Sequence, residues 1–197
     1  MTSAQRDALP RIAQAAVACE RAGSAPAELL TAQCILESGW LNSTPGNNCF
    51  GIKEYKGCVG RQLLNTSEWF TDVECKAFLA LGDSRTAVPI YSEVKRDGRQ
   101  KYAVKDRFAT FPSLAVCFEK RATLFWRGRY LKHMEAYVKS ADAPAMKLEQ
   151  LIRAIGPIYA TAPGYADSVL RIVAMPEVVQ AIESARAALG IASGLPT

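Results

Sequence analysis

Residues 27–53, AELLTAQCILESGWLNSTPGNNCFGIK, decide the fold. They read as a helix, a glutamate at that helix's end, and a turn-rich loop closed by an aromatic. Ser24 is placed to cap the helix, and Pro26 falls in its first turn, where a missing N–H costs little. Gly39 supplies the stop. Leu30, Cys34 and Glu37 recur at helical spacing, so they share a face and a carboxylate continues the apolar stripe. Trp40 comes directly after that stop. Burial against apolar and aromatic surface penalises the charged form of a carboxylate, the setting that a proton donor for glycosidic cleavage requires. The competing reading is a glutamate that turns into solvent at a frayed helix end. Leu41–Asn48 carries turn chemistry, and Phe50-Gly51-Ile52 is expected to anchor the loop in the core.

Further motifs come in order along the chain. After LESGW (36–40) and PGNNCFGIK (45–53) stand Thr66-Ser67-Glu68, then Phe108-Ala109-Thr110-Phe111-Pro112-Ser113, then Tyr159-Ala160-Thr161 with Pro163 and Tyr165. Together they strongly resemble the glucosaminidase domain of bacterial autolysins and flagellar cell-wall hydrolases, over roughly residues 10–173. The resemblance implies a lysozyme-like helical fold and cleavage of N-acetylglucosaminyl linkages in peptidoglycan. It also implies catalytic roles by position. Glu37 matches the proton donor. Glu68 matches the T-x-E of the family's hairpin, with Asp72 and Glu74 as nearby alternatives and a solvated strand residue as the bland reading. Tyr159 matches the tyrosine of Y-A-T, where a hydroxyl orients the acetamido group or polarises a water; a core tyrosine is its alternative. Two residues depart from the family pattern: Ile158 stands where glycine is usual, and Ala162 where aspartate is usual.

Sugar rings present apolar faces and hydroxyl edges, so their sites combine aromatic platforms with amides. Trp40, Asn47, Asn48, Phe50, Trp69 and Tyr165 are the candidates for substrate binding, with Trp40 and Phe50 also suited to the core. The chemistry requires carboxylates and hydroxyls only, so neither metal nor cofactor is expected. His133 is the only histidine, which excludes a histidine-rich zinc site; it reads as a polar position on a helix.

The chain has 197 residues, 49% of them hydrophobic, enough for one domain with a substantial core. No run has the length of a membrane span, and MTSAQRDALPR lacks the apolar core of a secretion signal. The expected action is on the cell wall, periplasmic or extracellular, by a route the sequence does not display. The net charge of +5 favours an anionic partner. Peptidoglycan glycan strands are the expected partner, with no nucleic acid, no stable membrane insertion, and a monomeric chain. Cys19, Cys34 and Cys117 read as buried thiols, and a bridge from Cys49 to Cys58 or Cys75 competes evenly with unpaired thiols.

The fold class is α+β, mostly helical: a lysozyme-like helical core with a small antiparallel β-lobe, forming a single catalytic domain over 1–197. Thr2 and Gln5 have capping-box spacing, and Pro10 opens a second helix to residue 22. The β-lobe covers about 57–110, with strands at 63–70, 78–81 and 89–94 and a hairpin at Asp97-Gly98. Its excess over the family's hairpin lies between Cys75 and Lys105. Helices are expected at 114–126, 129–139, 143–155, 163–174 and, as an addition, about 176–189. Ser113, Asp142, Thr161 and Met175-Pro176 mark starts, Gly156 and Gly190 mark stops, and the tail beyond is loose. Two rivals stand beside the hydrolase: a lytic transglycosylase of the same fold, and a wall-binding module without catalysis.

Overall fold

The computed structural model describes residues 1–94, 97–160 and 163–190. The chain divides into two compact units, one formed by Met1–Gly51 with Phe111–Thr197, the other by Ile52–Thr110. Among the described residues the architecture is mostly helical with one small antiparallel sheet, as the sequence predicts. The helical unit comprises α1 (Ser3–Arg21), α2 (Ala27–Ser38), α4 (Leu114–Phe125), α5 (Leu131–Lys139), α6 (Pro144–Tyr159), α7 (Tyr165–Val173) and α8 (Pro176–Ala188). The β unit comprises β1 (Gly60–Phe70), α3 (Asp72–Ala80), β2 (Thr86–Val94) and β3 (Gln100–Thr110).

Thr2 caps α1 in a reciprocal box with Gln5 (3.2 and 2.8 Å). The helix then runs through Pro10 instead of restarting there. An interior proline costs about 3 kcal/mol. Burial of Leu9, Ile12, Ala13, Ala16 and Val17 on one continuous face offsets it. Helix α2 is core nearly all round, Ala27 to Ile35 being buried without interruption. Ser24 does not cap it. Pro26 occupies the cap position, and the Ala27 N–H donates to the Glu20 carboxylate of α1 at 3.1 Å. Glu20 also holds Arg186 of α8 (2.6 and 2.8 Å), which bonds Glu28 of α2 at 2.7 Å. One buried cation thus ties three helices.

Gly39 ends α2 in the left-handed region (φ 58°), as expected. Gly156 is not a stop: α6 continues through it and Pro157 to Tyr159. A Cβ on Gly156 would lie 2.9 Å from that of Ala166, so the glycine permits close approach of α6 and α7. Ser113 caps α4, Met175-Pro176 opens α8, and His133 lies on α5, all as expected. Asp142 is not a cap; it accepts from Ser140 and Gln150. Thr161, Ala162 and the tail beyond Gly190 lie outside the described residues.

In the β unit the strand order is β1-β3-β2, antiparallel throughout, with Gly60 paired to Thr110 and Phe70 to Gln100. Residues 78–81, expected as a strand, instead end α3. Thr71 and Glu74 form a second capping box, and Phe78 turns its ring to Phe70 at 5.2 Å. A helix start that outweighs a short β-like run explains the difference.

All six cysteines are free thiols, so of the two even readings unpaired thiols hold, with no bridge from Cys49 to Cys58 or Cys75. Phe50 packs edge-on against Phe118 of α4 (4.9 Å), which draws Cys49 into the helical core. Its sulfur lies 3.8 Å from that of Cys117. Cys58 and Cys75 belong to the β unit.

Candidate active site

Glu37 sits on the last turn of α2 and is exposed. The buried stripe of Leu30 and Cys34 continues instead to Ser38, while Leu36 and Glu37 face outward on the last turn. The expectation of a desolvated carboxylate is corrected accordingly. The groups behind Glu37 are polar and buried. Gln33, one turn earlier on the same helix, is fully buried. Its carbonyl accepts from Arg121 Nη2 of α4 at 2.9 Å, and its amide donates to the Tyr165 hydroxyl at 3.1 Å. The Arg121 guanidinium stacks 4.2 Å from the Tyr159 ring centroid, with Phe125 at 5.0 Å and Phe50 at 5.6 Å. Tyr159 and Tyr165 meet at 5.0 Å between ring centroids, the approach that Gly156 allows.

The Tyr159 hydroxyl faces the Glu37 carboxylate. Burial pushes that phenol up to about 12; Arg121 acts against the rise, and hydrogen bonding to Glu37 adds to it. Tyr165 is likewise pushed up, by burial first and then by Tyr159 and Glu37. Two neutral phenols and one buried cation therefore back an exposed carboxylate. Such a set can lend and recover a proton at Glu37 while its surroundings keep their charge states.

The loop after α2 is strained. Trp40, Leu41 and Asn47 adopt left-handed backbone (φ 63°, 64° and 56°), uncommon for residues other than glycine. Trp40 N–H donates to Ile35 and Leu41 N–H to the Ser38 hydroxyl (3.2 and 2.9 Å). Asn47 donates its amide to the Phe111 carbonyl at 2.9 Å, and the Phe111 N–H returns to Gly46 at 2.8 Å. Of the expected substrate contacts, Asn48 and Phe50 are buried, and Trp40 is half-buried.

Glu68 and Trp69 lie on β1 in the other unit. The Lys53 ammonium bonds both Glu68 and Asp106 of β3 at 2.7 Å each, and lies 4.2 Å from the Phe108 ring centroid. Asp106 also accepts from Arg85 (2.9 Å) and from the Arg107 amide (2.7 Å). Trp69 is half-buried with Lys101 over its ring (5.8 Å). Glu74 is engaged in its capping box and by Arg99 at 3.1 Å. Asp72 opens α3.

Glu37, Tyr159 and Tyr165, each named from the sequence, come together in the helical unit, whereas sequence reasoning does not name Gln33, Arg121, Lys53 or Asp106. Arg121 has a signal: Cys117, Phe118, Ala122 and Phe125 form the buried face of α4, and an arginine stands on that face. Gln33 has one too, an amide inside an apolar helix one turn before the glutamate.

No curated protein sequence matches the chain significantly. Solved structures do match in fold. The catalytic domain of the autolysin Auto from Listeria monocytogenes aligns with a TM-score of 0.60 at 20% identity, over 92% of this chain and 89% of that one. The glycoside hydrolase domain of Salmonella typhimurium FlgJ aligns at 0.55 and 20% identity, over 96% and 98%. A peptidoglycan hydrolase from Sphingomonas sp. A1 aligns at 0.54 and 21% identity, over 91% and 94%. Residues 13–177 match the Glucosaminidase family model, described as mannosyl-glycoprotein endo-beta-N-acetylglucosaminidase. The chain belongs to the glucosaminidase family and is a glycoside hydrolase.

Proposed function

We propose that this glycoside hydrolase cuts N-acetylglucosaminyl bonds in bacterial peptidoglycan, with Glu37 as the general acid. The observation that carries the reading is an exposed glutamate at the end of a buried helix, faced by the Tyr159 hydroxyl. Glu37 protonates the leaving glycosidic oxygen. The Tyr159 hydroxyl then donates to the carboxylate that remains. Glu68 is the second carboxylate, which activates a water or stabilises the oxocarbenium-like centre. Trp40, Trp69 and Tyr165 supply surface for sugar faces. The fold likeness to autolysin and peptidoglycan hydrolase domains and the net positive charge both favour an anionic wall substrate.

Glu37→Gln keeps the shape and removes the transferable proton. Its activity on purified cell wall is expected to fall by a factor on the order of 100 or more. A folded variant that retains most activity removes Glu37 from the site. Mass spectrometry of the digest separates hydrolysis from transglycosylation. Hydrolysis adds one water per cut, whereas an anhydro sugar product adds none.

A further inference from the structure

Arg121 is a charge in the wrong place for stability. Its side chain is buried (4% exposed), and an uncompensated buried cation is costly. Among the described residues no carboxylate lies within ion-pair distance of it, unlike Arg186, which holds two. Its Nε has no hydrogen-bond partner among the described residues. Its surroundings are three aromatic rings and the Gln33 carbonyl. A methionine or leucine would fill the same volume without that penalty. The guanidinium is planar, so it stacks on the Tyr159 ring while directing Nη2 at Gln33, a combination a lysine cannot reproduce.

Both tyrosines of the cluster answer to it. Tyr159 is held by direct stacking at 4.2 Å, and Tyr165 through Gln33. Tyr159 in turn faces Glu37. Resting on Glu37 as the general acid, we infer that Arg121 is a positioning residue that acts on Glu37 through Tyr159. It fixes the ring and polarises the phenol, so that the hydroxyl donates more strongly to the carboxylate left after proton transfer. A cation over the ring face withdraws electron density from the phenol oxygen, which strengthens it as a donor. The role belongs to the proton-transfer step and not to substrate capture, because Arg121 is inside the core.

The test is a double-mutant cycle on soluble peptidoglycan fragments, using Arg121→Met, Tyr159→Phe and the pair. Arg121→Met is expected to lower kcat about tenfold, the size of one lost supporting interaction, with KM within about twofold. In the Tyr159→Phe background the same substitution is expected to change kcat by less than about twofold, because the group it acts through is gone. Arg121→Lys keeps the charge without the stack and should fall between. The ¹³Cζ resonance of Tyr159 at neutral pH should move in Arg121→Met and move less in Arg121→Lys. Equal losses of kcat in both backgrounds, or an unmoved Tyr159 resonance, overturn the proposal. If Arg121→Met does not fold, the Arg121→Lys and Tyr159→Phe cycle carries the same test. Glu37→Gln in parallel separates the two ideas. An active Glu37→Gln rejects the general-acid reading, while an inactive one with additive effects at Arg121 and Tyr159 rejects only the relay.

Discussion

The helical unit and the β unit place their buried charges differently. In the helical unit two cations are deeply placed, Arg186 locked between Glu20 and Glu28 and Arg121 caged by rings, while others such as Arg153 pair at the surface. In the β unit Lys53, Arg61, Arg85 and Arg107 mesh with Glu54, Glu68, Asp83 and Asp106 in one network, which runs from the largely buried Arg85–Asp106 pair out to Lys53 and Glu68 nearer the water. The Lys53 and Glu68 side chains are 43% and 36% exposed. Water screens such a pair, which is worth roughly 0–1 kcal/mol. The difference teaches that a pair open to water mainly sets the direction of side chains, whereas a pair buried among helices decides stability.

The widest gap between the units is expected at Arg186. Arg186→Met leaves the buried Glu28 without its cation, and breaking a buried pair typically costs about 3–5 kcal/mol. Chemical denaturation should show a lower midpoint with an unchanged slope. A loss under about 1 kcal/mol would break the comparison, because Arg186 would then behave like a surface residue.

Next in size is Gly156→Ala. The new methyl meets Ala166 at 2.9 Å, so α6 and α7 must part, at about 1–3 kcal/mol for an overpacked contact. Activity should fall with stability, because the Tyr159–Tyr165 pair sits across the same junction. Full activity in a destabilised variant would separate the junction from the site.

The smallest effect is expected in the β unit. Burial pushes the Asp106 carboxyl up, but hydrogen bonds from Lys53, Arg85 and the Arg107 amide outweigh it and hold it below the ordinary range. A depressed folded value means that the carboxylate stabilises the fold above the unfolded pKa of about 3.9 and loses that contribution as pH falls through the folded one. Asp106→Asn should therefore cost about 1–2 kcal/mol at neutral pH. The gap to the parent protein should close as pH falls below about 4. Hydrogen exchange on the β3 amides reads both. A gap that persists at low pH would point to packing, not charge.

Most of the fold is legible in the sequence because its signals are local. The Thr2–Gln5 box, Gly39, Ser113, the run from Leu63 to Phe70 and Met175-Pro176 each act within a few residues of themselves. The same kind of signal is present at Thr71 and Glu74, where the β-like look of residues 78–81 masks it. The illegible parts depend on remote partners. Glu20 replaces Ser24 as the cap acceptor because α1 passes beside α2, and Cys49 meets Cys117 across 68 positions. Glu37 is exposed because the last turn of α2 buries Ser38 and turns Leu36 and Glu37 outward, a choice of face that depends on the helices packed against it. Gln33 joins Arg121 and Tyr165 across 88 and 132 positions, so their network exists only once the helices have packed.

The interruption of the helical unit between Gly51 and Phe111 bears on the order in which the chain assembles. The β unit closes on itself at its own base: Ala109 N–H donates to Ile52 at 3.0 Å, and Lys53 is bridged to Phe108. Until that happens, bringing Gly51 and Phe111 together requires closing a loop of roughly sixty residues. Once the sheet has formed, the same two ends are already neighbours, and the entropic barrier falls by about 2 kcal/mol on a logarithmic loop-length law. Early formation of the sheet would make it a splint for the helices on either side. A short turn that joins Gly51 to Phe111 would do the same service without any β unit at all.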